Sequence, residues 1–485
     1  MWERKAVEPA PTTSYSSRRM VALILVTGLS LFNFGYNSAN IGGVLLYLDS
    51  SQTACSQKAI CLSSPLMKGV LVSSCLVGAV LGALFAGTLA AQQGPRTTLL
   101  MNNVFFIVGS ISSALAPGIL SLILSRCILG LGVGSASAIT HVYIGEVVPA
   151  ERRGEHGALL VVLGTGGILV ANLVSWCMAE HWRWVFAFGA VPAMLQLLWG
   201  SVIMPESPHW KARLQPGRCL CRKCQDADSP ECIANSEAPC FMESSGAWFN
   251  LLKSVRTGRA VPPLIIGGGL HVLAQATGIN VVIYYGPKML TLVGFASSTA
   301  VFVSTTISLF QMGSTILLAR LVDRLGRKPM SFIGLSCMLV SLCGIAFSYL
   351  LPPSHRAASW LALISCFAFR VAFSVSLGPL PYIIAAEVFP EDIRAPGVSL
   401  CLAVKWVANF VVSLTWLPLA EAVSLAGTFA LYGLMCALAI CFLATYVPET
   451  SGKTLGQASR IAMTKMEDGA SFGAHGARQV YRSCG

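Results

Sequence analysis

The sequence predicts an all-α membrane protein that crosses the bilayer twelve times, in two halves of six helices each. Apolar residues make up 54% of the 485 residues and charged residues only 11%, against about 25% charged in soluble domains. The mean hydropathy is +0.68, and apolar segments long enough to span a bilayer recur along the whole chain. A set of soluble domains is therefore excluded.

Twelve apolar segments define the expected spans. We place them near 20–46, 66–90, 97–116, 119–145, 156–178, 184–204, 261–290, 297–321, 329–351, 358–386, 397–419 and 425–447. The resulting organisation is a cytosolic N-terminal tail, a first six-helix bundle, a cytosolic loop with helices, a second six-helix bundle and a cytosolic C-terminal tail. These five parts cover residues 1–19, 20–204, 205–258, 259–447 and 448–485.

The basic residues predict the orientation of the chain. Of 33 Lys and Arg residues, five fall in loops on one side and three inside spans, so 25 lie on the side of both termini. Because basic loops stay in the cytosol, we expect both termini to be cytosolic. The net charge of +12 is thus explained by topology, and no nucleic-acid partner is expected. The plasma membrane is the default location, with an endomembrane left open.

Three motifs occur once in each half at nearly the same offset, which indicates a duplicated six-span unit. They are GEVVPAERRG (145–154) with AEVFPEDIRA (386–395), AAQQGPR (90–96) with VDRLGRK (322–328), and the prolines that open PESP and PET, Pro205 and Pro448. Two parallel halves with a site between them at mid-membrane are typical of alternating-access carriers.

The charged residues of these motifs are expected at the cytosolic ends of helices. Ion pairs that break and re-form as the halves rock would latch one conformation. The alternative is a solvated loop that only sets topology. The predicted latch residues are Glu146, Arg153, Asp323, Arg324, Arg327, Glu387 and Arg394.

The seventh span carries polar side chains that a lipid-facing helix does not need. Within residues 270–290, Gln275 and Asn280 lie about 140° apart on an ideal helix, too wide for one face. Gly278 lies between them, so a break there would turn both amides toward one cavity. The alternative is hydrogen bonding between helices, a common use of amides in membranes.

The chain resembles the sugar porter family of the major facilitator superfamily, and most closely its facilitative hexose transporters. The motifs that carry the resemblance are NFGYN (33–37), SRCILGLGVG (125–134), GEVVPAERRG, PESPHW (205–210), GINVVIYY (278–285), VDRLGRK and PETSGKTL (448–455). They cover about residues 35–455. The resemblance implies the major facilitator fold and a hexose, related sugar or polyol as substrate, held between the two bundles.

The resemblance also implies the site residues. Amides suit sugars because they both donate to and accept from hydroxyls, and an indole face covers the apolar side of a sugar ring. The implied substrate-binding residues are Gln275, Asn280, Gln311, Trp406, Asn409 and Tyr382, and the implied outer-gate residues are Tyr284 and Tyr285.

Several residues depart from the family pattern. Where relatives carry a polar, acidic or tryptophan side chain, this chain has Val161, Ala274, Ser374 and Tyr382, and Lys405 is an added charge. These departures leave the substrate open and raise a transport-dead sugar sensor as an alternative.

One departure concerns the mechanism. Proton-coupled relatives carry an acid in the first span, opposite an arginine of the fourth, and here those positions hold Asn37 and Arg126. Asparagine does not titrate, so the expectation is facilitated diffusion by a uniporter that is not proton-coupled.

Arg370 and Lys405 are cations inside spans of the second half. A charge at mid-membrane costs at least about 2.5–3.5 kcal/mol, so such residues usually face a cavity. Two interpretations stay open. Either Arg370 meets helix carbonyls and Lys405 extends toward the membrane surface, or the two make a cationic cavity for an organic anion or an acidic sugar.

The remaining motifs predict no cofactor, no metal site and no enzyme activity. The segment 219–240 has five cysteines, whose spacing fits no standard zinc site. Cys55 and Cys61 share an outer loop and are candidates for a disulfide. His141 and His271 lie in spans near the expected cavity but are not assigned as ligands. The expected partners are a small solute and membrane lipid, with the oligomeric state undetermined.

Overall fold

A computed structural model describes residues 17–48, 62, 64–148, 153–178, 181–213, 243–352, 355–390, 393–449, 457, 459 and 461–462. The described residues form helices and connecting turns. The Cys55–Cys61 pair and the cysteine-rich segment 219–240 lie outside them.

In the described part of the chain, nine helices belong to the first half and the segment that follows it. They are α1 (Ser17–Leu48), α2 (Pro65–Gln93), α3 (Pro95–Leu115), α4 (Ile119–Val147), α5 (Arg153–Cys177), α6 (Trp182–Phe188), α7 (Ala190–Ile203), α8 (Pro208–Arg213) and α9 (Glu243–Arg256). Helices α6 and α7 together form the sixth span, with Gly189 between them.

The described residues from 261 to 445 form nine more helices, which belong to the second half. They are α10 (Val261–Ala276), α11 (Ile279–Tyr284), α12 (Gly286–Leu292), α13 (Ser297–Leu325), α14 (Arg327–Ser348), α15 (Arg356–Ser374), α16 (Leu380–Val388), α17 (Arg394–Val423) and α18 (Leu425–Thr445). Among the described residues, eleven helical segments are long and apolar enough to cross a membrane, and the shorter α10 is also apolar. With α11 and α12, α10 makes the seventh span, so the predicted twelve-span fold is confirmed.

The two halves pack chiefly through two helix pairs. Helix α2 lies against α17, and α5 lies against α13. Helix α1 of the first half also contacts α11 and α12 of the second. We call the side on which α1 begins the terminal side, and the opposite one the far side. These contacts leave space between the halves, and the candidate site lies there.

The seventh span is broken at Gly278, as its glycine predicts. Helix α10 ends at Ala276, Gly278 has a φ of 80°, and α11 begins at Ile279. A left-handed residue cannot continue a right-handed helix, and glycine adopts that conformation without a Cβ penalty. A Cβ on Gly278 would also lie 2.6 Å from Cδ2 of Tyr432. The break is therefore specified both by backbone conformation and by packing.

Gly278→Ala is expected to lower the melting temperature of the purified protein. The left-handed conformation alone costs a non-glycine residue about 1–2 kcal/mol, and the contact with Tyr432 adds to it. The matched control is Gly268→Ala in α10, where a Cβ meets nothing within 4 Å. A Gly278→Ala variant that melts with wild-type protein would contradict this account of the break.

Candidate functional site

A cavity of about 1020 Å³ lies between the two halves. Its wall includes α1, α5, the broken seventh span, α13, α16 and α17. The lining extends to Val21, Gly157 and Arg327 on the terminal side. On the far side the halves approach closely, because a Cβ on Gly42 of α1 would lie 2.8 Å from the Tyr284 carbonyl oxygen.

The break in the seventh span brings its two amides together. Gln275, at the end of α10, and Asn280, in α11, both line the cavity. Asn280 Nδ2 donates a hydrogen bond to Gln275 Oε1. An unbroken helix would hold them on different faces. The prediction that a break turns both amides to one cavity is thus confirmed.

A second pair of polar side chains closes the far end of the cavity. Asn409 Nδ2 of α17 donates to Tyr284 Oη over 3.1 Å, and Asn409 Oδ1 accepts from Ser413 Oγ at 3.1 Å. Both Asn409 and Tyr284 line the cavity. Tyr285 does not line it: its hydroxyl donates to the Ser413 carbonyl oxygen over 3.0 Å, and its ring packs on Trp416. Of the two tyrosines, Tyr284 therefore lines the cavity and Tyr285 does not.

Trp406 provides an aromatic wall beside these amides. The side chain is buried, and Nε1 donates to Ser137 Oγ of α4 over 3.3 Å. The edge-on ring of Phe34 in α1 lies 5.7 Å from it, centroid to centroid. Because Trp406 contacts α1 and α4, it joins the two halves beside the cavity.

Gln311 lies in the wall, where its amide meets a buried cation. Arg370 Nη2 donates to Gln311 Oε1, and Arg370 is 2% exposed. The guanidinium therefore pairs with a side-chain amide instead of the helix carbonyls considered above. Arg370 is not among the residues that line the cavity, whereas Gln311 is.

Lys405 points into the cavity region and does not extend to the membrane surface. Its side chain is 8% exposed, and Nζ donates to Tyr382 Oη. The ammonium lies 4.6 Å from the centroid of the Trp406 ring and 4.9 Å from that of Tyr382. Aromatic faces stabilise a cation in a poorly solvated site. Lys405 and Tyr382 both line the cavity.

Two histidines belong to the same cluster, although sequence reasoning did not assign them. His271 of α10 lies edge-on to the Tyr382 ring at 5.0 Å, and His141 of α4 stacks with that ring at 6.3 Å. Both line the cavity. The signal available in the sequence was that both histidines lie inside membrane spans near the expected cavity.

Asn37 and Arg126 are both buried in the first half. Asn37 Nδ2 donates to the Asn33 carbonyl oxygen over 3.1 Å, and Asn37 Oδ1 accepts from Asn40 at 3.3 Å. The Arg126 guanidinium lies 5.6 Å from the centroid of the Phe186 ring. The polar interactions found for Asn37 thus remain within α1, and neither residue lines the cavity.

Two of the expected latch residues of the second half meet on the terminal side. Arg327 Nη2 forms an ion pair with Glu387 Oε1 at 3.4 Å. Arg394 Nε donates to the Phe389 carbonyl oxygen over 3.2 Å. In the first half, Glu146 Oε2 accepts from Ser207 Oγ at 2.5 Å. The side chains of three further predicted members, Arg153, Asp323 and Arg324, lie outside the described part of the chain.

Two glutamates that sequence reasoning used only as repeat marks cap helices of their own half. Glu206 Oε1 accepts from the Arg96 amide at 3.0 Å, at the start of α3. Glu449 accepts from the amides of Arg327 (3.2 Å) and Lys328 (2.9 Å), at the start of α14. A carboxylate there meets unpaired N–H groups and the positive end of the helix dipole.

In the part of the chain that the structure describes, no group of three His, Cys, Asp or Glu side chains is placed to hold a metal ion. The cavity wall offers amides, hydroxyls, imidazoles, an ammonium and aromatic faces. Such a surface suits a polyhydroxylated solute, since it both donates to and accepts from hydroxyl groups.

Comparison with known proteins identifies similar chains. The family model described as "Sugar (and other) transporter" matches residues 21–462. A D-xylose transporter of Levilactobacillus brevis is 33% identical over 433 residues, covering 87% of this chain and 91% of the relative. The galactose-proton symporter of Escherichia coli (strain K12) is 32% identical over 401 residues, covering 81% and 85%. The crystal structure of a D-xylose-proton symporter matches with a TM-score of 0.71 at 27% identity, covering 90% of this chain and 100% of that one.

These relatives confirm the resemblance and the major facilitator fold, but they correct one expectation. Asn37 led to the expectation of a uniporter that is not proton-coupled. That expectation is wrong, because the similar chains include proton symporters of galactose and of D-xylose. Asn37 removes one carboxylate, but other titratable side chains line this cavity.

Glu449→Ala is expected to lower the melting temperature, because two amides at the start of α14 lose their acceptor. Loss of a helix cap costs about 0.5–2 kcal/mol. The matched control is Glu421→Ala, at an exposed position near the end of α17. Thermal unfolding of the purified variants measures both melting temperatures. Equal melting temperatures for Glu449→Ala and Glu421→Ala would exclude a capping role.

Proposed function

The chain belongs to the sugar transporter family of the major facilitator superfamily, and from that premise we propose that it is a proton-coupled carrier of a monosaccharide. The observation that carries the proposal is the cavity between the halves, where the amides of Gln275, Asn280 and Asn409 lie beside the Trp406 indole. Its volume of about 1020 Å³ is at the upper end of common ligand sites, about 300–1,000 Å³. A pentose or hexose therefore fits with water.

The amides are proposed to hold the sugar. Gln275 and Asn280 use one donor and one acceptor on each other, which leaves further donors and acceptors for sugar hydroxyls. Asn409 offers its second N–H in the same way. Gln311, Trp406 and Tyr382 are proposed as additional binding residues.

Transport is proposed to follow alternating access. In this conformation the cavity extends to the terminal side while α1 meets α11 on the far side. Opening the far side requires the contacts of Tyr284 and Tyr285 to separate, so the two tyrosines are proposed as the far-side gate. Closing the terminal side is proposed to involve the seven latch residues, among them the Arg327–Glu387 pair.

The orientation proposed for the chain puts the terminal side in the cytosol, since 25 of its 33 Lys and Arg residues lie there and basic loops stay in the cytosol. The conformation described here is then inward-facing. The proposed organisation keeps the two bundles, 20–204 and 259–447, with a cytosolic segment at 205–258 and cytosolic tails. The plasma membrane is the proposed location, the surrounding partner is lipid, and no enzyme activity is proposed.

The test is uptake of radiolabelled D-xylose and D-galactose into proteoliposomes that hold the purified protein. With acid outside, the internal sugar is expected to rise above the external concentration, because inward proton movement drives the sugar with it. A protonophore is expected to abolish the excess. Saturable uptake that only reaches equilibrium would contradict proton coupling, and no saturable uptake of any pentose or hexose would contradict sugar transport.

Asn409→Ala provides the site variant for the same assay. Loss of a hydrogen bond of about 1 kcal/mol lowers kcat/KM about fivefold. The control is Asn250→Ala, at an exposed position in α9 away from the cavity. Equal kcat/KM values for the two variants would remove Asn409 from the site.

A further inference from the structure

We propose that His271 is the residue that accepts the transported proton, and that Lys405 and Tyr382 link its charge to sugar binding. The inference rests on the proposed proton-coupled sugar transport and assigns the proton to a residue of that cavity.

The cavity needs a base other than a carboxylate. No aspartate or glutamate is among the described residues that line it. Glu387, on the adjoining helix α16, forms an ion pair with Arg327 on the terminal side. Asn37 does not titrate, and Arg126 is not in the wall. The titratable side chains that do line the cavity are His141, His271, Tyr284, Arg327, Tyr382 and Lys405.

The hydrogen bonding of His271 determines which of its nitrogens is the base. Nδ1 lies 2.8 Å from the Gly267 carbonyl oxygen. A carbonyl oxygen only accepts, so Nδ1 carries the hydrogen in the neutral ring and Nε2 carries the lone pair. Nε2 is buried and has no hydrogen-bond partner in the described part of the chain. A proton therefore adds at Nε2.

The surroundings of His271 are cationic and aromatic. Its helix α10 packs against α11, α16, α17 and α18. Lys405 donates to the hydroxyl of Tyr382, whose ring contacts the imidazole. Of the titratable groups on these helices and on α4, Tyr284, Tyr382, Lys405 and His141 line the cavity with His271. Cys401 lies beside Gly267 and Tyr432 beside Gly278 of the same span, and Glu387 of α16 is paired with Arg327.

His141 is the less suitable base of the two histidines. Its side chain is exposed to the cavity, whereas His271 is only 1% exposed. An exposed imidazole exchanges its proton with water whether or not a sugar is bound. A buried imidazole whose Nε2 has no hydrogen-bond partner in the described protein depends on the bound solute for one. Coupling requires that proton binding depend on solute binding in this way.

The coupling follows from where hydrogen-bond acceptors are present. A proton taken from water forms an N–H bond at Nε2 and places a second positive charge near the Lys405 ammonium. Neither cation has a carboxylate partner among the described lining residues. Sugar hydroxyl oxygens supply the missing acceptors, so the sugar favours the protonated state. By linkage, the proton favours sugar binding by the same factor. When the sugar leaves, the proton returns to water.

The experiment compares His271→Asn with His355→Asn in proteoliposomes. Asparagine keeps an amide donor near the position of Nδ1 but cannot take up a proton, and His355 is an exposed histidine at the start of α15. With acid outside, wild type and His355→Asn are expected to accumulate sugar, and His271→Asn only to equilibrate it. Accumulation by His271→Asn at the wild-type level would overturn the proposal.

Sugar counterflow in the absence of a pH gradient separates this proposal from the proposed function. Counterflow that remains measurable in His271→Asn, together with lost accumulation, is the result expected here. Absence of counterflow in wild-type protein would instead contradict sugar transport itself.

Equilibrium sugar binding provides the second measurement, independent of transport. The wild-type affinity is expected to rise as the pH falls, by up to about tenfold per pH unit. His271→Asn is expected to lose that dependence. Lys405→Met removes a repelling charge, so the midpoint of its pH profile is expected to move to higher pH. An unchanged profile in both variants would overturn the assignment.

Discussion

The left-handed backbone at Gly278 is the constraint on which the cavity depends. Inside a membrane every backbone N–H and C=O needs a partner, so a helix can break only where protein or a polar cavity surrounds it. Here the break falls between α10 and α11, and it lets Gln275 and Asn280 meet across it. A continuous helix would direct one of the two amides away from the site, and the wall would lose the hydrogen-bonding groups of that side chain.

The second half holds two buried cations, Arg370 and Lys405, whose hydrogen-bond partners among the described residues are neutral. Arg370 Nη2 donates to the Gln311 amide oxygen, and Lys405 Nζ donates to the Tyr382 hydroxyl and lies near two aromatic faces. These neutral partners hold a charge less strongly than a carboxylate does. The cavity is therefore responsive to added acceptors such as sugar hydroxyls and to added charge such as a proton. Lys405 is a buried cation with neutral partners, so we expect its energy to depend on the charge of His271 and on the bound solute.

The spans and the broken helix were predictable because hydropathy and glycine act locally. The pairing of Gln311 with Arg370 was not, since it joins residues of α13 and α15 that only the fold brings together. The helix caps by Glu206 and Glu449 could not be predicted from the sequence either, although the motifs that contain them repeat. The coupling prediction failed for a related reason. A missing carboxylate is visible in sequence, but a histidine with an unpartnered Nε2 is visible only in three dimensions.

The most direct test of the central claim, that one cavity binds a sugar and a proton together, is calorimetric titration of the purified protein. D-xylose or D-galactose is titrated in two buffers of different ionisation enthalpy, at several pH values below neutrality. The account predicts one saturable site and a heat that differs between the buffers, corresponding to uptake of at most about one proton per sugar. Saturable binding with identical heat in both buffers would contradict it.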